Sequence, residues 1–127
     1  MAQYAQIVEI VAPSQAVSGE RVDITVRIKN TYSSAIGIMV GGVLEYGVSP
    51  WPGIEFPVDS ANVGGGTTYS FSGSFMMLDK RVTVHAYSYW YGADGYWHFD
   101  DEMTKVVNLA ALTPQVSEFK IADFTKV

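Results

Sequence analysis

"ERVDITVRIKN", residues 20–30, decides the fold. Val22, Ile24, Val26 and Ile28 alternate with Arg21, Asp23, Thr25, Arg27 and Lys29. Side chains on a strand project to opposite faces with a period of two, so this stretch has one oily face and one wet face. On a helix the same residues would be scattered around the axis. A strand covered on one side only is expected here.

The rest of the chain follows the same logic. "YAQIVEIV" (4–11) is a shorter strand ended by Pro13, with a turn at "VSGE". "AIGIMVGGVLEYG" (35–47) is more continuously apolar, which suits a strand covered on both sides or bent at Gly41-Gly42. The Pro- and Gly-rich stretch from Val48 to Gly66 predicts an irregular edge with short strands at most. "TTYSFSGSF" and "KRVTVHAYSYWY" alternate again, and a last long strand is expected from Tyr96 to Leu109. About seven short strands without a helical segment predict an all-β antiparallel sandwich of the immunoglobulin-like kind. The sandwich is assigned to residues 1–112. Residues 113–127 form a C-terminal tail in which Phe119, Ile121 and Phe124 read as an extra strand. That strand could complete a sheet edge by strand addition, or begin a following domain.

Between the last two long strands, "YSYWYGADGYWHFDDE" (87–102) places seven aromatic residues around one turn. A four-residue loop, Gly92 to Gly95, would set Tyr91 opposite Tyr96, Trp90 opposite Trp97 and Tyr89 opposite His98. The outward face then carries His85, Tyr87, Tyr89 and Tyr91 beside Tyr96, His98, Asp100 and Glu102. The inward face carries Val82, Val84, Ala86, Ser88 and Trp90 beside Trp97, Phe99, Asp101 and Met103. A carboxylate facing a core must be hydrogen-bonded. Otherwise a β-bulge near Asp100 must turn Asp101 out.

Bulk properties narrow the function. The length of 127 residues suits one domain, large enough for a core without staples. With 48% hydrophobic and 17% charged residues the chain is globular rather than disordered. A net charge of -5 opposes phosphate backbones and anionic lipid, so neither nucleic acid nor membrane insertion is expected. The absence of cysteine excludes disulfides and thiol chemistry. The N-terminal "MAQYAQIVEIVAPSQ" lacks the basic flank and apolar run of an export signal, and no stretch is long enough to span a membrane.

Flat tyrosines at 87, 89, 91 and 96, with His98 beside them, suit either a pyranose face or a protein interface, and tyrosine is also a good strand former in its own right. Asp94, Asp100, Asp101 and Glu102 lack the spacing of a calcium loop, and His85 with His98 falls short of a zinc ligand set. No metal or cofactor is therefore expected. No serine-histidine-acid arrangement is brought together, and "VGGG" precedes a strand rather than a helix, so it is no phosphate loop. Asp100 and Glu102 could in principle serve as a glycosidase pair, but no deep pocket is implied. The expectation is a protein that is not an enzyme.

"APSQAVSGERVDITVRIKNTYSS" (12–34) resembles the opening of CARDB-like and related immunoglobulin-like domains of bacterial and archaeal surface proteins. Pro13, Gly19, Glu20 and Asn30 carry the resemblance, and "GGGTTYSFSGSFMM" (64–77) is similar to the family's glycine turn and the strand after it. Two departures stand out: Leu78 where a proline commonly follows, and "DDE" where the family is rich in asparagine. The resemblance covers about residues 5–109 and implies a spacer, adhesion or interaction module with no catalytic residue to carry over. The functional expectation is a structural module in a surface or virion-type assembly, a phage component included. It would bind a protein partner or itself through Tyr87, Tyr89, Tyr91, Tyr96 and His98 and through the tail. The alternative is a carbohydrate-binding module using the same tyrosines, with Trp97 as a further candidate.

Overall fold

The computed structural model describes residues 2–111. Eight strands and no helix occur among them: β1 (Ala5–Val11), β2 (Gln15–Val17), β3 (Arg21–Asn30), β4 (Ile36–Glu45), β5 (Ser60–Val63), β6 (Thr68–Met76), β7 (Val82–Tyr91) and β8 (Trp97–Ala110). They form two sheets, one ordered β1-β3-β6 and the other β2-β8-β7-β4-β5. The sheets face each other as a β-sandwich. Phe119, Ile121, Phe124 and the rest of the tail lie outside the described residues.

The alternating strand that opened the sequence is the middle of the smaller sheet. Val22, Ile24, Val26 and Ile28 are almost wholly buried. They belong to one core with Val82, Val84 and Ala86 of β7, Ile38, Val40 and Leu44 of β4, and Phe71 and Phe75 of β6. Arg21, Asp23 and Lys29, on the other face, are exposed. Each buried aliphatic side chain contributes about 1.5–3 kcal/mol of transfer free energy, which explains why a one-residue slip of β3 is not tolerated.

Pro13 does more than end a strand. Beyond it the chain crosses to the other sheet, where β2 runs parallel to the end of β8, Gln15 beside Asn108 and Val17 beside Ala110. The stretch 48–66 is irregular, as its prolines predict. It lies along β4, with a bridge between Val43 and Gly53, and reaches β6 of the opposite sheet through a bridge between Glu55 and Ser74.

The hairpin between β7 and β8 departs from the register expected from sequence at two places. The Gly92 N–H donates to the Tyr96 carbonyl at 2.9 Å, so the loop has three residues, Ala93 to Gly95, rather than four. Gly95 takes φ +82°, the left-handed conformation that ends such loops and that glycine adopts without strain. Tyr91 therefore pairs with Trp97, Trp90 with His98 and Tyr89 with Phe99. A bulge then inserts Asp100, and Ser88 pairs with Asp101. Below the bulge the faces agree with the sequence reading; above it they are exchanged. Trp97 and Phe99 point outward, not into the core, while His98 and Asp100 leave the tyrosine face.

The bulge aims both aspartates at β1. Asp100 accepts the N–H groups of Gln3 (2.6 Å), Tyr4 (2.8 Å) and Ala5 (2.6 Å), and Asp101 accepts that of Ile7 (2.9 Å). Ser88, fully buried on β7, donates to the Ala5 carbonyl at 2.6 Å and accepts the Asp101 N–H at 3.1 Å. Asp101 thus keeps its inward position, hydrogen-bonded as a carboxylate near a core must be. At the same end of the molecule Asn30 is fully buried. Its amide donates to the carbonyls of Ser34 and Val63, both at 2.9 Å, and its side-chain oxygen accepts the Tyr32 N–H at 2.8 Å.

Two stability outcomes follow. Asn30→Ala strips partners from three backbone groups and should cost about 3 kcal/mol, read as a shifted urea midpoint with unchanged slope. Asp100→Ala should cost about 1–3 kcal/mol and speed amide hydrogen exchange selectively at Gln3, Tyr4 and Ala5.

Candidate functional site

The outer face of the five-stranded sheet is built in rows across β4, β7 and β8. From the hairpin end downward the rows are Gly37–Tyr91–Trp97, Met39–Tyr89–Phe99, Gly41–Tyr87–Glu102, Val43–His85–Thr104 and Glu45–Thr83–Val106. The first two rows and Tyr87 are an aromatic field. Ring centroids lie 5.1 Å apart for Tyr91–Trp97, 5.8 Å for Tyr89–Phe99 and 6.0 Å for Tyr87–Phe99, with tilted or edge-to-face planes, the arrangement that ring quadrupoles favour.

The glycines of β4 shape this field. A Cβ on Gly37 would stand 3.4 Å from the far edge of Trp97, and one on Gly41 would stand 3.7 Å from the Tyr89 ring. With no side chains there, the Trp97 and Tyr89 rings reach over β4. Exposure is 58% for Phe99, 47% for Tyr91 and 39% for Trp97, high for such large apolar groups. Beside them Gly37, Ser60, Ala61, Asn62, Tyr91 and Trp97 line a shallow depression of about 320 Å³.

The lower half of the face is polar and locked. His85 Nδ1 lies 2.8 Å from Glu102 and Nε2 lies 2.8 Å from Glu45, so one imidazole ties β4, β7 and β8 together. Trp51, from the loop after β4, stacks on this ring at 5.0 Å and 24°. A cation beneath an indole is a favourable pair. Burial pulls the His85 pKa down, but hydrogen bonds and charge from Glu102 and Glu45 outweigh it and hold the group above an ordinary imidazole. Burial also raises the Tyr87 pKa, helped by the charge of Glu102.

The sequence-selected residues divide. Tyr87, Tyr89 and Tyr91 share the outer face as expected. Tyr96 sits at the hairpin turn, highly exposed and outside the strand rows. His98 lies on the inner side, stacked on Trp90 at 4.5 Å, with Nε2 2.9 Å from Asp94. That hydrogen bond, with one from the Tyr96 N–H, lowers the Asp94 pKa. A Cβ on Gly92 would fall 2.6 Å from the Asp94 carboxylate, so glycine is needed for this pair to form across the turn. Trp97, Phe99, Met39 and Trp51 belong to the outer face without having been expected there. The usable signal was the Asp100-Asp101 pair, which breaks alternation and marks the bulge.

The acids weighed as metal ligands are dispersed: Asp94 to His98, Asp100 and Asp101 to β1, Glu102 to His85. Among the described residues no group of three or more potential ligands assembles, and no helix is long and apolar enough to cross a membrane.

No protein-family model and no curated protein matches this chain. Solved structures do share its fold. It is similar to part of a Pseudomonas fluorescens alkylpurine DNA glycosylase bound to DNA containing an abasic site analog, at 14% identity and TM-score 0.62, over 87% of this chain and 32% of that one. The chain thus spans about a third of the glycosylase's length. It is also similar to a CARDB domain from Pyrococcus furiosus in complex with di-metal ions, at 9% identity and TM-score 0.59, over 87% of this chain and 92% of that one. A third is a Paenibacillus cycloisomaltooligosaccharide glucanotransferase complexed with cycloisomaltoheptaose, at 17% identity and TM-score 0.55, over 88% and 15% of the two chains. At these identities the likeness is one of fold alone: an all-β sandwich.

The clamp on His85 makes a pH-dependent prediction. Its folded pKa lies above the unperturbed 6.5, so its contribution to stability is full below that value and is lost as pH rises through the raised one. The stability advantage of the wild type over His85→Gln should be largest below pH 6.5 and shrink above it, in urea titrations at several pH values. The His85 ring resonances should titrate at a midpoint above 6.5 in the same protein.

Proposed function

We propose that this protein is a non-enzymatic, immunoglobulin-like interaction module that assembles with a second copy of itself through the outer aromatic face, as a component of a surface or virion-type structure. One observation carries the reading: Tyr89, Tyr91, Trp97 and Phe99 form a contiguous aromatic field on a sheet face, two of them close to half exposed or more. Exposed apolar fields of this kind mark interaction sites. Two such faces brought together by a two-fold axis would pack as sheet on sheet, each supplying the same rows. The locked Glu45–His85–Glu102 cluster, spanning three adjacent rows, supplies a polar rim.

The non-enzymatic part is supported by how both histidines and Glu45, Asp94, Asp100, Asp101 and Glu102 are used, each engaged with a neighbour. DNA is what the glycosylase is bound to, but a net charge of -5 speaks against carrying that partner over.

A second reading rests on the depression beside Trp97. An indole and a phenol with the Asn62 amide and Ser60 hydroxyl nearby are the components of a pyranose site. The glucanotransferase of similar fold is complexed with a cyclic sugar, though only over a small part of its length.

Sedimentation velocity over a concentration series tests the first reading. The wild type should shift from monomer to dimer as concentration rises. Phe99→Asp, placed on the exposed face, should remain monomeric with a melting temperature close to that of the wild type. A wild type that stays monomeric throughout would remove self-assembly. Saturable quenching of tryptophan fluorescence by a glycan, lost in Trp97→Ala, would put the sugar reading in its place.

A further inference from the structure

At the hairpin end of the sandwich lies a second aromatic cluster, which adjoins the outer face at Tyr91. Tyr4 precedes β1, Tyr32 sits in the turn after β3, Trp90 and Tyr91 end β7, and Ala93 is in the hairpin loop. Together with Ile36 they line a pocket of about 340 Å³. This is within the range of small-ligand sites. Four of the six lining residues are aromatic, and none is charged.

The rings form walls rather than a platform. Tyr4 stands nearly perpendicular to Trp90, at 4.9 Å and 88°, and is tilted 66° from Tyr32 at 5.0 Å. Trp90 is backed by the His98 ring, which Asp94 holds in place. Tyr4 is fixed from behind by the Asp100 carboxylate on its backbone N–H. The walls are thus set by the same contacts that close the sandwich, and the pocket needs little ordering when a ligand enters.

Three features select the ligand. A box of tilted rings suits a compact, rounded group better than the flat face of a pyranose, which stacks on a single exposed ring. The ring faces present negative quadrupole potential, and two carboxylates bond residues behind the rings, Asp94 on His98 and Asp100 on the Tyr4 backbone. No lining residue is basic, so an anion finds no charged partner there. A primary ammonium is strongly hydrated and would need a carboxylate, and the lining offers only tyrosine hydroxyls; a methylated ammonium is weakly hydrated and needs only ring faces. We infer that the pocket lined by Tyr4, Tyr32, Trp90 and Tyr91 is a binding site for a methylated ammonium group, of the kind carried by choline or by trimethyllysine.

Tetramethylammonium is the direct probe, read by two-dimensional amide and indole NMR of the full chain. Saturable shifts are expected at the Trp90 indole and the Ala93 amide. The neutral carbon isostere of choline, 3,3-dimethylbutanol, should bind roughly tenfold more weakly, since it lacks the charge that the rings attract. Tyr32→Phe keeps a ring and should keep binding. Tyr32→Leu keeps apolar bulk and should weaken it by roughly tenfold. Tyr32 lies in a turn and is 42% exposed, so both variants should fold, and retained amide dispersion checks this. Choline compared with a short trimethyllysine peptide then identifies the source of the group, the tighter binder being the natural form. Equal binding of the neutral isostere would overturn the assignment, as would loss of binding in Tyr32→Phe or the absence of any saturable shift.

Discussion

Four backbone N–H groups of the first strand and its approach end on two neighbouring carboxylates of the last, those of Asp100 and Asp101. A strand at the margin of a sheet leaves every other N–H without a partner, a cost in stability and an invitation to unwanted pairing. Here the opposite sheet answers that need with side chains rather than with another strand. Both carboxylates can reach because a bulge sets two consecutive residues of β8 against one residue of β7. The buried Ser88 hydroxyl completes the junction by bonding β1 and β8 at once. The two sheets are therefore joined along one side by polar contacts as well as through the core.

The same bulge determines what the surface offers. Every side chain of β8 above it is displaced to the other face relative to a regular ladder. Trp97 and Phe99 are thereby placed beside Tyr91 and Tyr89, and His98 beside Trp90. One irregularity closes the sandwich, builds the aromatic field outside and frames the aromatic pocket at the end. Gly37 and Gly41 then leave room for the Trp97 and Tyr89 rings over β4. The histidine clamp beneath Trp51 holds the polar half of the face in one arrangement.

Much of this was legible in the chain itself. Residues 20–30 announce a half-buried strand because their alternation has only one structural solution, and the core is where that alternation places it. Pro13 and the 48–66 stretch announce breaks because proline cannot donate to a ladder. The outward set of Tyr87, Tyr89 and Tyr91 is legible for the same reason. His98 and Tyr96 were not, because loop length and bulge each shift the pairing by one residue, and neither leaves a hydrophobic signature in so aromatic a segment. Asp101, an acid at an inward position, was the residue that pointed to the irregularity.

The amino-acid order by itself determined the strands, their buried faces and the all-β class, since two-residue alternation depends only on local backbone geometry. It also determined the acidic, cysteine-free surface that disfavours phosphate partners. Tertiary structure alone decided which acid meets which amide, that β2 crosses to the far sheet, and which aromatics share a face. Those outcomes depend on register and on contacts between residues some ninety positions apart, such as Tyr4 with Asp100, and no local pattern encodes a distance of that kind.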